Sequence, residues 1–238
     1  LTKTEDCPSN VFATLNPLDN FYDNVSTLTN GNTTYATSAS SGKYTFTPAT
    51  LGFNSGKFYW EQKITSNVWM GSGISSTQST GIGNYLGQNT NDYAYYGYQY
   101  ASGEGSKWTG GTKTNFGANY TTNDILMYAV DCDNLKIYTG KNGTWNNSGD
   151  PTSGSTGTGA MYTITNPSLT QKGFYFPSAC TYDTLASGSN FNFGNGFFGT
   201  TAVATNSGNG YQDADGNGIM NYSVPTNYRC LCTKGLNQ

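Results

Sequence analysis

The chain has no histidine among its 238 residues. That absence removes the commonest general base, the Ser-His-Asp and Cys-His arrangements of nucleophilic catalysis, and most catalytic zinc sites. Charge is also scarce: Asp, Glu, Lys and Arg make up 11% of the residues, against about a quarter in ordinary soluble proteins. With 11 basic and 14 acidic residues, a net charge of -3 and a pI near 4.7, the chain has no basic patch to displace counterions from phosphate, so no nucleic-acid partner is expected. No apolar run approaches the ~18 residues of a spanning helix, so no membrane partner is expected, and the opening LTKTEDCPSN lacks the apolar region of a secretion signal. The chain begins at Leu1 rather than Met, which suggests a processed product or the ordered part of a longer polypeptide. Nowhere does the 3.6-residue period of an amphipathic helix persist beyond about two turns.

What is present is glycine (31) and tyrosine (19), with polarity carried by Asn, Thr, Ser and Tyr. Such a surface suits a protein that works outside a cell or packs into an assembly. From Phe21 onward, short segments are broken about every 8 to 12 residues by Gly, Asn, Asp or Ser, the spacing of an all-β sandwich or barrel. Strands are expected at Ser26–Leu28 and Thr33–Ala36 about the Asn30-Gly31 turn, at Tyr44–Thr47, Phe58–Ile64, Val68–Ile74, Phe174–Phe176, Phe191–Phe193 and Tyr228–Cys232. Gly71 and Gly73 would permit close packing if their strand is central. Residues 1–20 are polar with no sustained period and read as an arm laid over a single domain of 21–238. Residues 75–92 and 146–160 read as long loops, and 101–121 either as a functional surface loop or as a stretch with short strands that show no period; such segments are the usual carriers of function on a sandwich.

The clearest stretch is Asp124 to Trp145. Ile125–Val130 is an uncharged run long enough for a buried strand and too short for a stable isolated helix. Asp131 to Asn134 favour a reversal, and Leu135 to Tyr138 then alternates, placing Leu135 and Ile137 on one face of an antiparallel hairpin. Asn142-Gly143 supplies the positive φ angles of a second tight turn, with Trp145 just beyond.

These residues resemble the central hairpin of SPRY (B30.2-like) domains, particularly the version found in bacteriophage virion proteins. Gly56-Lys57-Phe58-Tyr59-Trp60-Glu61 is similar to that family's early strand, Gly149-Asp150-Pro151 to the loop after its Asn-Gly-Thr-Trp turn, and Phe191-Asn192-Phe193-Gly194 to its late strand. Pro8-Ser9-Asn10, Thr14-Leu15-Asn16-Pro17 and Leu231-Cys232-Thr233-Lys234 resemble the flanks of phage copies. The resemblance implies an all-β fold, an antiparallel two-sheet sandwich with a concanavalin A-like jelly roll. It implies a non-catalytic module in an extracellular virion, a tail, fibre or capsid decoration. Its partners would be other virion proteins, itself as a homo-oligomer, or a host surface glycan or protein. An extracellular carbohydrate-binding module and an intracellular SPRY adaptor for peptides remain alternatives. Since first and last strands lie together in such sandwiches, the resemblance also suggests a bridge from Cys7 to Cys230 or Cys232. The alternative is small buried thiols, with an odd cysteine unpaired in any case.

Glu61, Asp124, Asp131 and Asp150 could in principle serve a glycosidase, yet turn chemistry already explains Asp124 and Asp131, and no spacing sets a carboxylate pair across a sugar, so no enzymatic activity is expected. Asp213, Asp215 and Asn217 begin like a calcium loop, but Val224 stands where a bidentate Glu belongs, so a simple turn is favoured over a calcium cofactor. The Asn-X-Ser/Thr triplets are what chance yields in an Asn- and Thr-rich chain. Candidate contact residues are the rings of Tyr93, Tyr95, Tyr96, Tyr98 and Tyr100, with Trp108 and Trp145. Tyr93 and Tyr95 would share one strand face and Tyr96, Tyr98 and Tyr100 the other, one set in the core and the other open to contact, while a sandwich that fills its core with Tyr and Phe could equally bury most of them.

Overall fold

The structure is a computed structural model that describes residues 6–7, 9–19, 26–38, 44–66, 70–77, 84–97, 103–182, 186–203 and 210–236. In chain order the strands are β1 (Ser26–Thr29), β2 (Thr34–Thr37), β3 (Tyr44–Pro48), β4 (Lys57–Ser66), β5 (Met70–Ser75), β6 (Asp92–Tyr96), β7 (Glu104–Thr109), β8 (Thr112–Ala118) and β9 (Ile125–Asp131). There follow β10 (Lys136–Lys141), β11 (Thr144–Trp145), β12 (Tyr162–Thr163), β13 (Phe176–Tyr182), β14 (Ser187–Asn192), β15 (Phe197–Phe198), β16 (Thr201–Ala202) and β17 (Arg229–Cys230). The helix assigned among the described residues, apart from short 3-10 turns, is one turn, α1 (Thr233–Leu236).

The strands form two main sheets. A nine-stranded sheet runs β1-β2-β14-β4-β9-β10-β11, with β12 also on β10 and β17 alongside β4; a six-stranded sheet runs β3-β13-β5-β6-β7-β8. Neighbours are antiparallel throughout except β17, which runs parallel to the start of β4. The fold is therefore an all-β antiparallel sandwich with jelly-roll architecture. The β9–β10 hairpin joins where the sequence puts it, with Val130 opposite Ile137. Leu135, expected on the second strand, instead takes φ 58° in the connecting turn. Asn142 and Gly143, at φ 50° and 85°, close β10 onto β11.

Alternation along β4 and β9 turns Phe58, Trp60 and Ile64 with Leu126, Tyr128 and Val130 toward the facing sheet. Trp60 is fully buried and stacks on Tyr128 at 5.3 Å with the rings 6° apart. Most polar groups between the sheets are paired, as burial favours: Ser72 bonds both Gln62 and Tyr128, Gln62 donates to Ser189 at 2.9 Å, and Tyr35 bonds Thr45, while the Trp60 indole N–H has no partner among the described residues. Gly73 lies so close to β6 that a Cβ there would stand 1.9 Å from the Tyr93 carbonyl oxygen.

The amino-terminal stretch is woven into this core. Phe12, Ala13 and Leu15 are buried, Ala13 donates to the Leu231 carbonyl at 2.9 Å, and Thr233 donates to that of Val11 at 3.0 Å. First and last segments thus lie side by side, but no bridge joins them. All five cysteines are free, Cys7 exposed beside Ser9 and Cys132, Cys180, Cys230 and Cys232 buried. Of the expected strand Tyr228–Cys232, Arg229 and Cys230 pair with β4 and Cys232 bridges Phe12.

Candidate functional site

The tyrosine strand β6 is core on both faces. Tyr93 and Tyr95 belong to the main core, where the Tyr95 hydroxyl donates to the Ala118 carbonyl and that of Tyr93 meets Thr165. Tyr96 points the other way, yet it too is buried, at 8% exposure, beneath the loop 84–91, and its hydroxyl donates to the Leu86 carbonyl at 2.9 Å. That corrects the expectation of a free aromatic face on this strand: Leu86, Phe46, Ala94, Cys180 and Tyr96 form a second small core on the outer side of the six-stranded sheet. Tyr98 and Tyr100 lie outside the described residues. Trp145 is half-buried, edge-on to Tyr59 at 6.3 Å.

Trp108 is the sequence-named ring that stays partly open on a sheet face of its own. It lies in β7 opposite Ala94 and meets two residues that sequence reasoning passed over, Tyr85 at 5.5 Å and, beyond it, Tyr44 at 5.0 Å from Tyr85. Tyr44 was visible only as one end of an alternating strand, and Tyr85 sits in a stretch without period. No one-dimensional pattern joins them.

The outer face of the nine-stranded sheet is closed by the carboxy-terminal segment, pinned on Glu61. This carboxylate is fully buried and accepts four hydrogen bonds: Tyr59 hydroxyl at 2.9 Å, Asn192 amide at 3.3 Å, and the backbone N–H groups of Asn221 at 2.9 Å and Tyr222 at 2.8 Å. Burial pushes its pKa up to about 7, while those donors pull the other way. Asp213 plays a similar part in its turn. Its oxygens accept from the backbone N–H groups of Asp215 (3.0 Å), Asn217 (2.7 Å) and Cys230 (2.9 Å), and Asp215 pairs with Arg229. The half-motif for calcium is here a turn built on backbone donors. Among the described residues no three His, Cys, Asp or Glu side chains gather at one point.

At one end of the sandwich, where β3 leads into β4 and β9 into β10, Arg229 separates two hollows. One, of about 210 Å³, lies among Phe53, Phe58, Phe174 and Leu236; the other, of about 390 Å³, is rimmed by Lys57, Asp133, Asp215 and Asn227. Close by, Lys172 and Asp19 form an ion pair at 3.2 Å that clips the turn Pro17–Asp19 to the turn Pro167–Leu169 and its continuation. Leu18 and Leu169 flank that clip at 94% and 77% exposure, and Phe174 is 42% exposed. Such large apolar side chains standing in solvent mark a contact surface when they gather.

No family model matches the chain, and no curated protein does. Among solved structures it is similar to the SPRY domain of human HERC1, with 16% identity and a TM-score of 0.52 over 74% of this chain and 96% of that one. It is also similar to a human SPRY domain, at 15% identity and a TM-score of 0.49 over 70% of this chain and 94% of the other. At such identities the likeness is one of fold, and the fold is a SPRY-type β-sandwich.

Proposed function

We propose that the chain is a non-catalytic structural module of a bacteriophage virion, a tail, fibre or capsid-decorating part exposed outside the particle, which acts by docking on neighbouring virion subunits or on further copies of itself. The observation that carries this reading is the clipped pair of turns at one end of a rigid sandwich, with Leu18, Leu169 and Phe174 held out in solvent. Desolvating three such side chains supplies affinity that a monomer has no use for. The phage-like flanks, Pro8-Ser9-Asn10 and Leu231-Cys232-Thr233-Lys234, support the virion setting. A non-catalytic role is supported by the way the buried acids Glu61, Asp92 and Asp213 spend their oxygens on hydrogen bonds within the protein.

The test is fractionation. The protein co-purifies with phage particles at a fixed copy number, and the double variant Leu18→Ser, Leu169→Ser folds with an unchanged melting temperature but is missing from the particles. A second reading, an intracellular adaptor that seats a short peptide, draws on the hollow among Phe53, Phe58, Phe174 and Leu236 beside Arg229. Leu236→Ala, in that hollow but outside the docking trio, separates the two: it weakens peptide capture under the second reading and leaves incorporation into particles unchanged under the first.

A further inference from the structure

Tyr44, Tyr85 and Trp108 form a cluster that neither the core nor the docking end uses. Each ring is partly exposed on the outer face of the six-stranded sheet, above the small core of Phe46, Leu86 and Tyr96. The rings fix one another: Tyr44 and Tyr85 are 5.0 Å apart at 42°, Tyr85 and Trp108 5.5 Å at 84°, and Trp108 rests on Tyr96 at 5.8 Å. The loop carrying Tyr85 is fastened down at its far side, where Gly110 donates to Asn89, Gly111 to Gly87 and the Thr109 hydroxyl to Thr90, at 3.0, 3.0 and 3.2 Å. Gly87 takes φ 94° and passes so near Trp108 that a Cβ would lie 2.7 Å from the Trp108 Cβ. The aromatic surface is therefore preorganised, and a ligand need not order it.

The chemistry around the rings is neutral and rich in hydrogen-bonding groups. Gln88, Thr90 and Asn115 stand exposed, and no group among the described residues bonds the Tyr85 hydroxyl. Asp92, the acid at the start of β6, is buried and accepts from Ser75, Thr77 and Asn89. Lys107 reaches to the opposite face, donating to the Met161 carbonyl at 2.7 Å, so Lys113 is the cation opposite Trp108. Among the described residues, an acidic ligand would find one lysine and a cationic one no free carboxylate beside the rings. A hydrophobic peptide would need the aliphatic side chains, and those lie beneath the rings. Sugar rings fit: their C–H faces carry slight positive charge that meets the negative face of an aromatic ring, and their hydroxyls match a rim of amides and hydroxyls.

We propose that this face is a binding platform for a neutral oligosaccharide, stacked on Tyr85 and Trp108 and flanked by Tyr44. Because the three rings are tilted rather than coplanar, the ligand is a bent or branched glycan and not a flat, cellulose-like ribbon. The site stands whether or not the chain belongs to a virion.

The full chain is applied to an array of neutral and acidic oligosaccharides, and hits are titrated by tryptophan fluorescence. Neutral glycans bind, Tyr85→Ala and Trp108→Ala each weaken binding at least tenfold, and Trp108→Phe keeps most of it. Tyr85 projects from a loop, so Tyr85→Ala keeps its melting temperature and serves as the folded control if Trp108→Ala fails to fold. Binding of no glycan at millimolar concentration, a preference for acidic glycans, or affinity unchanged in a folded Tyr85→Ala overturns the assignment.

Discussion

Glu61 lies beneath the carboxy-terminal segment with four donors and, among the described residues, no cation in reach. Its folded pKa, about 7, stands above the ordinary 4.5, so the folded protein holds this proton more tightly than the unfolded chain does. The stabilisation is complete below pH 4.5 and is lost as pH rises through 7, a change on the order of 3 kcal/mol. Urea titrations across that range show wild type weakening with pH while Glu61→Gln stays flat relative to it; parallel curves for the two would remove Glu61 as the cause. The thiols divide as sharply. Ser9 and nearby groups lower the pKa of exposed Cys7, whereas burial raises Cys132 to about 12 and Cys180 to about 11 and lifts Cys230 and Cys232 as well. Iodoacetamide at neutral pH labels one cysteine per chain, Cys7, and all five only after denaturation. Neither environment could be read from sequence. Glu61 looked like one acid in an aromatic strand, and three of its four donors come from residues 131 to 161 positions away.

Elements with a strong local pattern were legible, and those held by distant partners were not. The β9–β10 hairpin shows itself because an apolar run, a reversal and an Asn-Gly turn follow one another within about twenty residues. β7 and β8 were hidden within 101–121 because most of their residues are polar and only Gly105, Ser106 and Phe116 are buried, so little period marks a hairpin turning at Gly110-Gly111. The amino-terminal arm shows the same: Phe12 and Leu15 sit among polar neighbours, yet both are buried, Phe12 bridging Cys232 at the far end of the chain and Leu15 pairing with Asn32 and Ala49. Phe12→Ala therefore costs about 3 to 5 kcal/mol in chemical denaturation, a core-sized loss, where a loosely laid arm would give under about 1. Gly71 and Gly73 did carry their meaning in sequence. Gly73→Ala forces a methyl onto the Tyr93 carbonyl and costs at least about 2 kcal/mol, read as a lower urea midpoint with unchanged slope.

For the molecule as a whole, the scarcity of charge and the wealth of tyrosine express one design. Tyrosine fills the space between the sheets and ends its buried hydroxyls on backbone carbonyls and threonines, as at Tyr120 with Met70 and Tyr175 with Thr165. What faces outward among the described residues is a largely neutral polar surface whose apolar features include the tilted rings of Tyr44, Tyr85 and Trp108 and the turns that carry Leu18 and Leu169. The first was half legible, through Trp108 alone. The second was not, since exposure of a leucine is a property of the finished fold. Both patches are rigidly presented, which is how a protein without catalytic groups discriminates between partners. The most direct test of docking through this surface is quantitative mass spectrometry of purified phage particles assembled with wild-type protein or with the Leu18→Ser, Leu169→Ser variant. A fixed number of wild-type copies per particle, with the equally stable variant depleted at least tenfold, is the predicted result; wild-type protein absent from particles, or a variant incorporated at the wild-type level, contradicts it.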